Sequence, residues 1–187
     1  ARVLVDRINI ANERLDVLTS DIEDQIDGDL SEANKLLVDI ARLNLEIRQA
    51  DSVMSGGGAD LIDKRQAKLE KLARLVKFEA TPEADSPGEV HIRIGGKDVV
   101  SYGMVLGDLS YVSGSGIQWT DGSSIPQTIT VTGGEVQGRY SAVSTGGVAI
   151  VQNRLQALAD ALMTKVNAIY NSAATPGNDF FVDPVVN

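Results

Sequence analysis

The sequence predicts an α+β protein: an elongated antiparallel bundle of four long helices carrying a small inserted antiparallel β-rich module. Three observations predict it. Apolar residues recur at alternating spacings of four and three through residues 1–77, and again from about residue 147. Between these stretches the period falls to two and glycine-bearing turns appear. Aromatic residues are only 4% of the chain, so the core must be aliphatic, which suits helix packing better than an aromatic-lined pocket.

The first helix is read over residues 1–27, with the stripe Leu4, Ile8, Ala11, Leu15, Leu18 and Ile22. Gly28 is expected to end it. Asp29, with Glu32 three residues on, then forms a capping-box pattern for a second helix. That helix runs to about Val53 on the stripe Ala33, Leu36, Ile40, Leu43, Ile47 and Ala50. The short connection implies an antiparallel neighbour. "MSGGGA" (Met54 to Ala59) breaks the chain so that it reverses. Asp60 is expected to cap a third helix striped by Ile62, Leu69, Leu72 and Val76. The pairs Asp60/Lys64 and Glu70/Arg74 support it at i,i+4.

From Phe78 the pattern alternates. "EVHIRIGGKDVVSYG" reads as a hairpin turning at Gly95-Gly96. "GIQWTDGSS" and "QTITVTGGEVQGRY" add short strands with turns at DG and GG. Val151, Leu155, Leu158, Leu162, Val166 and Ile169 then mark the fourth long helix, which "ATPGNDFFVDP" ends. The expected division is a helical rod of residues 1–77 and 147–173, an inserted module of 78–146, and a C-terminal loop or strand over 174–187 that leads onward. The opening lacks an initiator methionine and reads as a section of a longer protein.

Composition narrows function. A net charge of −9 with no visible basic stripe argues against nucleic acid as a partner. No apolar run approaches a membrane span, so membrane insertion is not expected. With no cysteine, disulfides, thiol catalysis and thiolate metal sites drop out. The sole histidine, His91, lies on the polar side of an alternating strand and lacks a local nucleophile or orienting carboxylate. "DIEDQIDGD" fails as a calcium loop. With Gly28 at the invariant glycine, Glu23, Gln25 and Asp27 fall at the first ligand positions and Asn34 at the twelfth. "GGKD" lacks the upstream glycine and the following hydroxyl residue of a phosphate loop. "GGGADL" follows a helix, not a strand, and so loses the dinucleotide context. Catalytic, metal and cofactor sites are therefore not expected.

Four segments carry a resemblance. "ADLIDKRQAKLEKLARLV" is similar to a glycine-led helix of the form D-L-L-D-x-R in flagellar hook-associated protein 1. Asp60, Leu61, Ile62, Asp63 and Arg65 match, and Gln66 replaces the usual acidic residue. "VDIARLNLEIRQA" resembles the preceding helix through Ile40, Ala41, Leu43, Asn44 and Ile47. "GGEVQGRYSAV" resembles a glycine-bearing hairpin before the last helix. "RLQALADALMTKVNAIYN" with "GNDFF" resembles the final segment through Leu158, Ala159, Leu162, Val166, Asn167, Phe180 and Phe181. Tyr170 and Asn171 stand where that family often has histidine.

The resemblance implies a structural role in the hook–filament junction of the bacterial flagellum, reached by subunit self-assembly. It implies partners: copies of the chain itself, the hook protein and the next junction protein. It implies an extracellular location reached through the flagellar export channel without a cleaved signal peptide, and no cofactor. The fragment alone is expected to be monomeric. Two other readings stand beside it. One is a non-catalytic binding module of another extracellular appendage, using Trp119 with Tyr102, Tyr111 and Tyr140 on glycan or protein. The other is a hydrolase built on paired carboxylates.

Overall fold

A computed structural model describes residues 2–53, 58–86 and 88–173. Its first helix, α1, is Arg2–Val53. Gly28 does not end it. The inward-facing stripe Ile22, Ile26, Leu30, Ala33, Leu37, Ile40, Asn44, Ile47, apolar but for Asn44, runs through that point at steps of three and four. Gly28 falls on the exposed side, with no atom within 4 Å of a would-be Cβ. A mid-helix glycine costs about 1 kcal/mol. Burying Ile26 and Leu30 to 0% and 1% exposure on either side offers about 1.5–3 kcal/mol each, so burial wins. The two helices expected before Met54 are therefore one. Asp29 is no cap, because its carboxylate accepts from Arg139.

The second helix, α2, is Ala59–Leu75. It starts from Gly58, whose carbonyl accepts the Leu61 and Ile62 amides, and no side chain caps it. Asp60 instead sits one residue inside the helix, in the first turn, where a carboxylate favours the macrodipole. The Asn44–Arg65 and Asp39–Lys68 contacts run in opposite chain directions, so α2 packs antiparallel to α1.

Among the described residues seven short strands follow: β1 Glu79–Pro82, β2 Val90–Ile94, β3 Lys97–Ser101, β4 Met104–Val105, β5 Gly107–Val112, β6 Gly116–Asp121 and β7 Pro126–Thr128. They form two antiparallel sheets ordered β1-β2-β3-β4 and β5-β6-β7. The β2–β3 hairpin turns at Gly95 and Gly96, with φ of 56° and 80°. Such a two-residue turn needs positive φ at both positions, which the sequence supplies as glycine. The β3–β4 turn uses Tyr102 (φ 49°) and Gly103. Glu83 holds the tyrosine in this rare conformation, accepting its amide at 3.0 Å and the Ser101 hydroxyl at 2.7 Å.

"GGEVQGRYSAV" is not a hairpin. Glu135–Ser144 is a short helix, α3. Gly134, at φ 87°, presses against the Leu75 carbonyl, and Val136, Tyr140 and Val143 then face the core at helical spacing. The last helix, α4, is Gly147–Ala173. Among the described residues, three long helices and one short one thus replace the four long helices expected. The segment 174–187, with Phe180 and Phe181, lies outside the described residues, as do Met54 to Gly57.

The chain divides into two compact units, Ala1–Ser20 with Thr145–Asn187, and Asp21–Ser144. In the second, one core joins Ile26 to Ala41 of α1, Leu72, Leu75 and Val76, Ile92 to Val100 of the first sheet, Leu109, Ile117 and Trp119 of the second, and Val136 of α3. Helices and strands share this core because each presents one apolar face.

Candidate functional site

The polar side chains buried in the second unit cluster where helices meet strands. The densest group joins α1, α2 and the turn before β2. Asn44, fully buried on α1, donates from Nδ2 to the Val90 carbonyl at 2.8 Å and accepts the Val90 amide on Oδ1 at 3.2 Å. Arg65, 8% exposed on α2, donates from Nη1 to Asn44 Oδ1 at 2.8 Å and to the Gly88 carbonyl. Burial lowers the Arg65 pKa, while the nearby Glu89 carboxylate opposes that shift. Glu89 is 1% exposed; its Oε1 accepts from Arg48 at 2.8 Å and from the Ser86 hydroxyl at 2.7 Å. A buried carboxylate of this kind persists only when paired and hydrogen-bonded.

Ten residues earlier on α1, Asn34 makes the same double contact with the second sheet. Its Oδ1 accepts the Leu109 amide at 2.9 Å and its Nδ2 donates to the Leu109 carbonyl at 2.8 Å. β5 is an edge strand, and this contact occupies edge groups that would otherwise invite another strand. Further along, Glu23 accepts from the Tyr111 hydroxyl at 2.7 Å and from Ser113 at 2.8 Å. Burial, then Glu23, pushes the Tyr111 phenol up to about 12. Arg139 of α3 bonds Asp29 and Gln25 of α1. Asp29 is held above the usual carboxylate range by burial, with Arg139 opposing. Between the helices, Lys68 donates to Asp39 and lowers its pKa.

The residues matched by resemblance separate into two groups. Arg65 and Asn44 meet in the buried cluster. Asp60 and Asp63 are exposed on α2, Leu61 is half-buried, and Ile62 is 42% exposed, outside the core stripe. On α4, Ala159, Leu162, Val166 and Asn167 are half-buried and Leu158 is exposed. Phe180 and Phe181 lie outside the described residues. Arg48 and Glu89 went unread in the sequence, and Asn34 entered only as the twelfth position of a failed calcium loop. Their partners are distant strand or loop residues, so no local spacing announces them.

Three of the four aromatic residues of the binding-module reading are engaged in packing, and Tyr102 is 43% exposed. Trp119 is 8% exposed, with Lys97 Nζ 5.5 Å from its ring centroid. Tyr111 and Tyr140 pack edge to face at 6.3 Å. Neither arrangement is an open platform on which a sugar could stack. His91 Nε2 pairs across the hairpin with Asp98 Oδ1 at 3.0 Å, an oxygen that also receives Arg93 Nε at 3.0 Å. The sequence offered His91 no local carboxylate; the hairpin brings Asp98 to it as a cross-strand polar contact. Among the described residues no helix is long and apolar enough to cross a membrane, and no group of three or more His, Cys, Asp or Glu is placed to hold a metal ion.

Polar groups that join helices to sheets define a scaffold domain, in which buried side chains hold layers together. The chain belongs to the family described as the flagellar hook-associated protein FlgK helical domain, whose model matches residues 1–181. This is a family of structural proteins of the bacterial flagellum. The solved flagellar hook junction protein FlgK from Burkholderia pseudomallei is similar in fold, with a TM-score of 0.77 at 23% identity. The match covers 90% of this chain and 31% of that one, so the chain spans about a third of the length of that relative. No curated protein matches the chain.

Proposed function

We propose that this chain is a non-enzymatic segment of a hook–filament junction subunit, working through stiffness and contact rather than chemistry. The observation that carries the reading is the family match across residues 1–181. Packed helices resist bending, and the buried stripe of α1 with the apolar face of α2 supplies packing within Asp21–Ser144. In this reading residues 1–77 and 147–173 act as a rod, and 78–146 present a lateral surface to neighbours. The partners are further copies of the chain, the hook protein and the next junction protein. The location is outside the cell, reached through the flagellar export channel. Asp60, Leu61, Ile62, Asp63 and Arg65, with Leu158, Ala159, Leu162, Val166, Asn167, Phe180 and Phe181, serve as structural positions.

Immunogold electron microscopy of source cells, with antibody to this chain, tests the proposal. Gold confined to the hook–filament boundary is the expected result. Gold along the whole filament would indicate a filament role, and gold elsewhere on the surface would overturn the junction reading.

A further inference from the structure

The Asn44 carboxamide has two chemically different ends, and both are engaged. Oδ1 faces the Val90 amide and Nδ2 faces the Val90 carbonyl. A flipped amide would set donor against donor and acceptor against acceptor, so both bonds would be lost. The Val90 peptide group therefore favours one orientation, and a second group reinforces that choice. Arg65 has donors and no acceptor, and its Nη1 meets Oδ1 at 2.8 Å. Only one of the two orientations satisfies it. The same nitrogen donates to the Gly88 carbonyl, two residues before Val90, which fixes the guanidinium against the turn it serves.

We propose that Arg65 is a positioning residue: it fixes the Asn44 carboxamide as a surrogate strand for Val90, and so sets where β2 begins and how the first sheet sits on α1. Asn34 provides the internal comparison. It makes the same double contact with Leu109, and among the described residues no arginine bonds its amide. The inference concerns the fold alone and stands apart from the junction reading.

Native-state hydrogen exchange on the 187-residue chain tests it, read at the Val90 and Leu109 amides. In Arg65→Met, Val90 protection should fall by about tenfold to hundredfold, the range expected when a buried hydrogen bond is lost. Asn44→Ala should give a fall of the same size. Leu109 protection should change by less than about threefold, as befits an independent site. Arg65→Lys, which keeps a donor for Oδ1, should recover part of the loss. Unchanged Val90 protection in Arg65→Met would overturn the proposal. So would equal losses at Val90 and Leu109, which would mean general destabilisation. Should Arg65→Met not fold, Arg65→Gln serves instead. A neutral amide can donate or accept and no longer selects an orientation, so the same local loss at Val90 is expected and its absence overturns the idea.

Discussion

One helix shows two fates for the same pattern. In the unit of Asp21–Ser144, the α1 stripe is closed: Ile26, Ala33, Leu37, Ile40 and Ile47 are all at 0% exposure. In the unit that holds Ala1–Ser20 and α4, equally regular stripes are only partly covered: Ile8, Leu15, Leu155 and Leu162 are half-buried. Leu4 is 45% exposed, Leu18 44%, Val151 49% and Leu158 55%. Spacing of three and four selects a face, but it does not determine how much of that face is covered. Coverage comes from elements far away in sequence. Two sheets and two helices supply it for the first stretch. The stability of the chain should therefore be concentrated in one unit.

The largest expected effect tests that contrast directly. Leu37→Ala removes a fully buried side chain and should cost about 2–5 kcal/mol. Leu158→Ala, at an exposed position of the same stripe type, should stay within about 0.5 kcal/mol. Urea denaturation of both variants decides it. Equal costs would break the comparison.

The next effect concerns glycine. Gly134 has φ 87°, and an added Cβ would lie 2.4 Å from the Leu75 carbonyl oxygen. Backbone cannot give way as a side chain does, so Gly134→Ala should cost about 1–3 kcal/mol, seen as a lower urea midpoint. Gly28 is the opposite case, with nothing within 4 Å of a would-be Cβ.

These examples show what the sequence made legible. Gly95-Gly96 was readable because a two-residue hairpin leaves few alternatives to glycine. The start of α4 at Gly147 was readable because a long apolar stripe resumes there. The break expected at Gly28 failed because local propensity competes with burial on both sides and loses. α3 was hidden because "TITVTGG" ahead of it alternates, while its own helical stripe is only three residues long. The buried cluster was half visible. Asn44 and Arg65 stood out by resemblance, but their meeting depends on a fold-back of 21 residues, and Val90 lies 46 residues from Asn44. No local pattern encodes such a contact.

A smaller effect follows from Tyr111. Its pKa is pushed up to about 12, above the ordinary value near 10. The folded state therefore holds this proton more tightly than the unfolded chain. That contribution is complete below about pH 10 and is lost as pH rises toward 12. Tyr111→Phe should flatten this part of the stability profile, measured as the difference between variant and parent in urea midpoint across the window. An unchanged slope would show that burial and Glu23 do not hold this proton more tightly in the folded state.

The smallest effect is also the most informative about α1. Gly28 lies inside the helix with open space around a would-be Cβ, so Gly28→Ala should relieve the entropic cost of glycine without creating a clash. A gain of about 0.5–1 kcal/mol is expected, with the urea slope unchanged. Such a gain means that α1 passes through this point as regular helix, held by Ile26 and Leu30 against the local preference to stop. A loss would mean that the glycine is needed for its backbone freedom, and that the helix is broken there in solution, as its sequence alone suggests.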